Sequence, residues 1–343
     1  MLKCLEFFSG VGGWHLALTK AGLKFEILQA FDINENANQV YEYNFGIKPS
    51  KKIIDRLTVN ELEKLAANTW LMSPCCQPFT LNGTRLDDKD NRSKPLLNLI
   101  DILATISSPP GFIALENVPL FEGSNCCNKL KTTLKSRGYL IKEYIVSPKD
   151  IGNPNDRKRY FLVALNSDSE LLHQDFLPQR IDRLPMKCPE MMKLREIERL
   201  PMKCPEMMKL REFLDVDVEY EYFLTLPDVS KLKNFRHDVV SPESSNCSTF
   251  TSSYEARHLK GSGSILQTKN FGFEFDRTNP DHLIHIGVRL FTPNEIMKIH
   301  GYPPEFKFPK QISIKQMYRL LGNGLHISCV SEVLRHAVME KES

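Results

Sequence analysis

Short apolar runs alternate with segments of helical spacing along roughly the first 165 residues. KCLEFF ends in the loop SGVGG, and HLALTKAGL follows with apolar residues at helical intervals. FEILQAF is the next apolar run, stopping at Asp32, with ENANQVYEYNF after it. TWLMS leads into Cys75-Cys76, a long helical stretch precedes GFIALENV, and GYLIKEYIV and RYFLVAL close the series. Strands alternating with helices in this way predict an α/β domain built on a mostly parallel sheet.

The alternation breaks down from about residue 167. RLPMKCPEMMKLRE begins at Arg183 and again at Arg199, a tandem duplication across 183–212. Two copies are too few for a solenoid, and the prolines and mixed charges read as a surface insertion. Glu219 to His285 is polar and serine-rich, and helical periodicity returns from Ile327 onward. The expected organisation is therefore a first domain over 1–166, a smaller mixed domain over 167–309, and a C-terminal segment, 310–343, that packs back on the first through an amphipathic helix.

Composition narrows this picture. A chain of 343 residues can bury a sizeable core, and no apolar run approaches a membrane span. The net charge of +3 means that any nucleic-acid surface is local. Nine cysteines without an export signal point to free thiols in a reducing compartment, and the absence of C-x-x-C argues against structural zinc. Cys126-Cys127 reads as filler at a helix start.

Ligands of open parallel sheets sit beyond the carboxyl ends of the strands, where four features fall. Ser9-Gly10-Val11-Gly12-Gly13 lets a ligand approach the backbone, though a tight turn also explains it. Asp32 follows the second strand and could hold ribose hydroxyls or cap a helix. Glu116 closes a buried strand, where it could donate a proton or cap the next element. The Cys75-Cys76 doublet could be a pair of core thiols, but CQPFT puts a helix breaker and polar groups beside it, as a core strand would not.

In this order the features resemble the cytosine-5 methyltransferase family along nearly the whole chain. FFSGVGG looks like its cofactor loop, YEYNFG like the helix after its second strand, and SPCCQPFT like its proline-cysteine-glutamine motif. ENV at Glu116 looks like its acid motif, NDRKRYF from Asn155 like its paired-arginine motif, and RLLGNG from Arg319 like its last. LMSP, RLFTP, GYPPEFKFP and YRLLGN look like the eukaryotic branch that acts on cytosine-38 in the anticodon loop of aspartate tRNA, whose Cys-Phe-Thr tripeptide is here Thr249-Phe250-Thr251.

The resemblance implies a Rossmann-like S-adenosylmethionine-dependent methyltransferase domain beside a target-recognition domain. It implies catalytic roles for Cys76, Glu116, Arg157 and Arg159. It implies S-adenosylmethionine contacts from Phe8, Ser9, Gly10, Val11, Gly12, Gly13, Asp32, Ile33, Asp55, Pro74, Asn323 and Gly324, with no metal. Cys76 is the expected nucleophile because the family's precedes glutamine; Cys75 stands where the family has proline, and Gly324 where it has serine or alanine. A thiolate adding to C6 would make C5 nucleophilic, Glu116 would assist at N3, and the arginines would meet the base O2 and a phosphate. Arg257, His258 and Lys260 could track a phosphate backbone. The expected protein is a monomer in the cytoplasm, or also the nucleus, that binds tRNA and no membrane. Rival readings are a DNA cytosine-5 methyltransferase and a non-catalytic RNA-binding homologue. A nicotinamide oxidoreductase would leave the Cys-Gln-Pro and Glu-Asn-Val motifs unexplained.

Overall fold

A computed structural model of the chain describes residues 1–80, 86–166, 206–231, 234–254 and 262–339. The elements run β1 (Leu2–Phe7), α1 (Gly13–Ala21), β2 (Phe25–Phe31), α2 (Glu35–Phe45), α3 (Val59–Lys64), β3 (Thr69–Met72), α4 (Lys94–Thr105), β4 (Phe112–Asn117), α5 (Asn125–Ser136), β5 (Tyr139–Val146), β6 (Asn155–Asp156) and β7 (Arg159–Asn166). After these come α6 (Leu226–Ser230), β8 (Val239–Val240), β9 (Cys247–Ser248), β10 (Ile265–Gln267), α7 (Pro280–His285), β11 (Val288–Arg289), α8 (Pro293–His300), α9 (Ile314–Asn323) and α10 (Ile327–Met339). No helix among the described residues is long and apolar enough to cross a membrane.

The described residues fall into two units. The first holds 1–146, 158–166 and 329–339; the second holds 147–157 and 206–328. In the first, six strands form one sheet in the order β2-β1-β3-β4-β7-β5. β1 runs parallel to β2 and β3, and β3 to β4, while β7 is antiparallel to both β4 and β5. Registry aligns the carboxyl ends: Phe7 sits opposite Phe31 and Met72, and Met72 opposite Leu115.

Pleat alternation divides the first unit's side chains between two layers. Leu5, Phe7, Trp70, Met72, Ile113 and Leu115 join the apolar residues of α4 and α5 in one core. On the opposite face Glu6 accepts from the Trp14 backbone at the start of α1 and from Tyr41 of α2. His336 of α10 meets Tyr144 there edge-on, with ring centroids 5.7 Å apart. Local sequence sets the helix ends: Asn34 caps α2 by accepting from the N–H groups of Asn36 and Ala37, and Gly46 ends it in the left-handed conformation.

The second unit is smaller and irregular. β11, β10 and β8 form a three-stranded sheet, and β6 pairs with β9. Its core is aromatic, with Tyr254 edge-on to both Phe250 and Tyr318 at 5.1 Å. Buried Arg289 and Glu295 pair through two hydrogen bonds of 2.8 and 2.6 Å, which satisfies charges that would be costly alone.

These boundaries differ from the expected ones at 167 and 310. Residues 147–157 belong to the second unit because Asn155 pairs opposite Cys247 and Asn153 donates to the Ile299 carbonyl at 2.7 Å. Residues 310–328 join it too: Tyr318 donates to the Phe291 carbonyl at 2.6 Å. Residues from Cys329 onward count with the first unit, where Arg335 donates to the Lys20 carbonyl. Most of the duplicated segment lies outside the described residues, as do Arg257, His258 and Lys260.

Candidate active site

The carboxyl edge of the large sheet gathers several predicted residues. The loop after β1 carries Phe8 to Gly13, β2 delivers Asp32, the turn after β3 carries both cysteines, and β4 ends at Glu116-Asn117. Because β7 is antiparallel, its first residue, Arg159, stands at this edge also.

The glycine loop folds tightly. Phe8, Gly10 and Gly12 all take positive φ, at 57°, 53° and 90°. For a phenylalanine this conformation is strained, and such strain persists only where surrounding contacts hold it. A Cβ on Gly12 would stand 2.2 Å from the Phe45 ring, so no other residue fits there. Ser9 donates its N–H to the Phe31 carbonyl at 3.0 Å, and Val11 is buried. Gly13 begins α1.

Asp32 locks this loop to β2. Its Oδ2 accepts from the Gly10 N–H at 2.8 Å and its Oδ1 from the Asn34 N–H at 2.8 Å. Burial raises the Asp32 pKa above the usual carboxylate range. Beneath the loop, burial pushes the Glu6 carboxyl up to about 8.

A nucleoside cofactor fits these groups. A carboxylate offers about four acceptor positions, so Asp32 keeps capacity for ribose hydroxyls after its two backbone bonds. Ile33 beside it is 71% exposed, an apolar platform for a base. Ser9 Oγ and Asp55 Oδ1 are buried polar atoms without a hydrogen-bond partner among the described residues, as expected of groups that meet a polar ligand.

The turn that carries the two cysteines is anchored at its foot and at its far end. Ser73 accepts from the Trp14 indole at 2.8 Å, and the Pro74 carbonyl accepts from the Asn117 side-chain amide at 3.1 Å. Asn117 thus ties the acid strand to the residue before the doublet. Beyond Cys76 a 3-10 turn, Gln77–Phe79, inserts Phe79 into the core edge-on to Phe121 at 4.9 Å. Both cysteines remain half-buried between these anchors. Glu116 is 9% exposed and pairs with Arg159, whose Nε lies 3.2 Å from its Oε1.

Arg157 and Arg159 have different partners and fall in different units. Arg157 is 3% exposed, and its guanidinium donates to the carbonyls of Phe250 at 3.2 Å, Gly322 at 3.2 Å and Gly324 at 2.6 Å. Within the second unit it joins Thr249-Phe250-Thr251 to the last motif. Asn323 closes α9 in the same unit, and Gly324 follows it. A Cβ on Gly324 would lie 2.8 Å from the buried Tyr302 hydroxyl, so glycine here makes room for that ring.

Sequence reasoning gave Asn117 no role of its own although ENV contains it, and it missed Trp14 and Glu6, which support the site through hydrogen bonds that no motif records. It also missed Arg92, whose side chain reaches Gln77 beside the nucleophile candidate. An arginine in a polar stretch carries no sequence signal of such a role.

The family model for C-5 cytosine-specific DNA methylases matches residues 2–338. A DNA (cytosine-5)-methyltransferase from Dictyostelium discoideum is 36% identical, over 99% of this chain and 95% of that protein. A tRNA (cytosine(38)-C(5))-methyltransferase from Schizosaccharomyces pombe is 32% identical, over 97% of this chain and 96% of that one. The crystal structure of S. pombe Dnmt2 methyltransferase superposes with a TM-score of 0.79 at 29% identity, covering 97% of each chain. With the cysteine, the acid and the glycine loop gathered at one sheet edge, these matches mean that the chain belongs to the C-5 cytosine-specific DNA methylase family.

Proposed function

We propose that this enzyme transfers a methyl group from S-adenosylmethionine to C5 of cytosine in tRNA, with cytosine-38 of the aspartate tRNA anticodon loop as the target. The observation that carries the reading is the Asn117–Pro74 tether, which holds the cysteine turn against the strand bearing Glu116. Similarity to the tRNA (cytosine(38)-C(5))-methyltransferases supports the substrate.

Cys76 is the nucleophile because it opens the anchored turn at Gln77. Its thiolate adds to C6, and the electron pair of the C5–C6 bond moves toward C5. Glu116 donates a hydrogen bond or proton at N3, which stabilises the charge that attack develops on the ring. Arg159 Nε holds Oε1 of Glu116, so the protonated carboxyl gives its proton to N3 from Oε2. Bound S-adenosylmethionine supplies the electrophilic methyl that C5 takes. Solvent water takes the C5 proton, the freed C–H pair restores the C5–C6 double bond, and the C6–S bond breaks to release the Cys76 thiolate. Phe8 to Gly13, Asp32, Ile33, Asp55 and Pro74 are the residues that would hold the cofactor.

A loop base is already partly unstacked, so reaching it costs less than flipping one from a duplex, where the cost is about a few kcal/mol. The 36% identity to a DNA (cytosine-5)-methyltransferase favours DNA as a second reading. Tritiated methyl transfer to total tRNA and to mixed-sequence DNA separates the two. The expected result is label in tRNA that Cys76→Ala removes and Cys75→Ala retains. Label in DNA alone would reverse the assignment. Binding of S-adenosylmethionine without label in either would overturn both.

A further inference from the structure

Arg92 is held in place more firmly than a loop arginine needs to be. It follows Asp90, which is 6% exposed and opens a 3-10 turn, Asn91–Ser93. Asp90 Oδ1 accepts from both the Arg92 N–H and its Nε at 2.9 Å, and Oδ2 accepts from Nη2 at 2.7 Å. The carboxylate therefore occupies one edge of the guanidinium. From the other edge Nη1 donates to Gln77 Oε1. Gln77 is the residue immediately after Cys76, so this bond links the fixed cation to the nucleophile turn.

The electrostatics agree with the geometry. Asp90 is the largest influence raising the Arg92 pKa, and the charges of Cys75 and Cys76 raise it further. Interaction between two charges is mutual: a guanidinium that senses a thiolate also stabilises it. Arg92 remains 38% exposed, so water weakens the effect without removing it.

We propose that Arg92 is a positioning residue that favours the thiolate of Cys76 and fixes its turn through Gln77. The proposal rests on Cys76 being the nucleophile, as argued above. Asp90 orients the guanidinium and partly offsets its charge, so the two residues have opposite electrostatic effects on the thiol. A purely mechanical brace would make their losses alike.

The test is the pH dependence of iodoacetamide alkylation at Cys76, mapped by mass spectrometry in a Cys75→Ala background. Arg92→Met is expected to move the midpoint up by about one pH unit, roughly a tenfold loss of reactive thiolate near neutral pH. Arg92→Lys retains the charge and should restore most of that shift while losing the planar fork to Asp90 and Gln77. Asp90→Asn keeps an acceptor for the Arg92 N–H and should move the midpoint down. Midpoints unchanged in Arg92→Met, or moved upward in Asp90→Asn, overturn the proposal. If Arg92→Met does not fold, the Asp90→Asn and Arg92→Lys profiles decide alone. Should Cys76→Ala retain methyl transfer, the assignment of the nucleophile fails while the alkylation profiles still report what Arg92 does to the thiol.

Discussion

Two cysteine doublets in the same unit have opposite surroundings. Cys75-Cys76 is half-buried in a turn beyond a strand, beside a fixed arginine. Cys126-Cys127 is fully buried in the first turn of α5, within the core shared by α4 and the sheet. Asp87 and Ser124 cap that turn by accepting from the N–H groups of Cys126 and Cys127, at 3.2 and 3.0 Å. Burial pushes the Cys126 thiol up to about 12 and the Cys127 thiol up to about 11. The dipeptide is the same in both places; access to water and the charge nearby decide whether a thiol can react.

The sharpest way to break this contrast is to remove one thiol from each doublet. Cys76→Ala should cut methyl transfer by on the order of a thousandfold or more, because it removes the sulfur proposed to form the C6 bond. Cys127→Ala should leave the turnover number within about twofold while costing about 1–2 kcal/mol of stability, the usual consequence of emptying a small core site. Turnover measured beside a thermal melt separates the two effects. An active Cys76→Ala, or an inactive Cys127→Ala that is folded, would mean that the doublets had been assigned the wrong way round.

Smaller changes sharpen the contrast by asking how placement depends on anchors. Asn117→Ala deletes the bond to the Pro74 carbonyl while the Cys76 thiol itself is retained. The turnover number should fall about ten- to a hundredfold with cofactor affinity little changed, since misplacement of a nucleophile by an ångström can cost that much. Single-turnover kinetics and a cofactor titration measure the two quantities independently. Equal rates in Asn117→Ala and wild type would show that Phe79 and Ser73 hold the turn by themselves.

The sequence showed the parts of the site that its pattern of strands encodes. Apolar runs ending abruptly at Asp32, Met72 and Glu116 place those positions at one sheet edge because parallel strands align their carboxyl ends. The doublet at Cys126 looked like filler, since a helix start with polar neighbours gives no hint that α4 and the sheet close over it. Arg157 looked catalytic because it shares a motif with Arg159, yet the chain crosses between units at that point and its guanidinium faces carbonyls. The boundaries of the second unit were hidden for the same reason. They depend on pairings such as Asn155 with Cys247, which lie far apart in sequence and leave no periodicity.

The least intrusive probe of the contrast is pH. At about pH 8 a thiol held near 11 has on the order of a thousandth of its population ionised, whereas an ordinary exposed cysteine near 8.5 is about a quarter ionised. Brief alkylation of the folded enzyme should therefore mark Cys75 or Cys76 and spare Cys126 and Cys127 until denaturant is added. The same shift has a consequence for stability. Both buried thiols have folded values above the value of about 8.5 for an ordinary cysteine, so the stability that their neutral forms contribute is fully present below that value. It is lost as pH rises from about 9 toward 12, because ionisation then favours the unfolded chain. Replacing Cys126 with alanine should flatten that alkaline decline in urea melts. An alkaline decline as steep in Cys126→Ala as in wild type would mean that burial in α5 does not hold this thiol neutral.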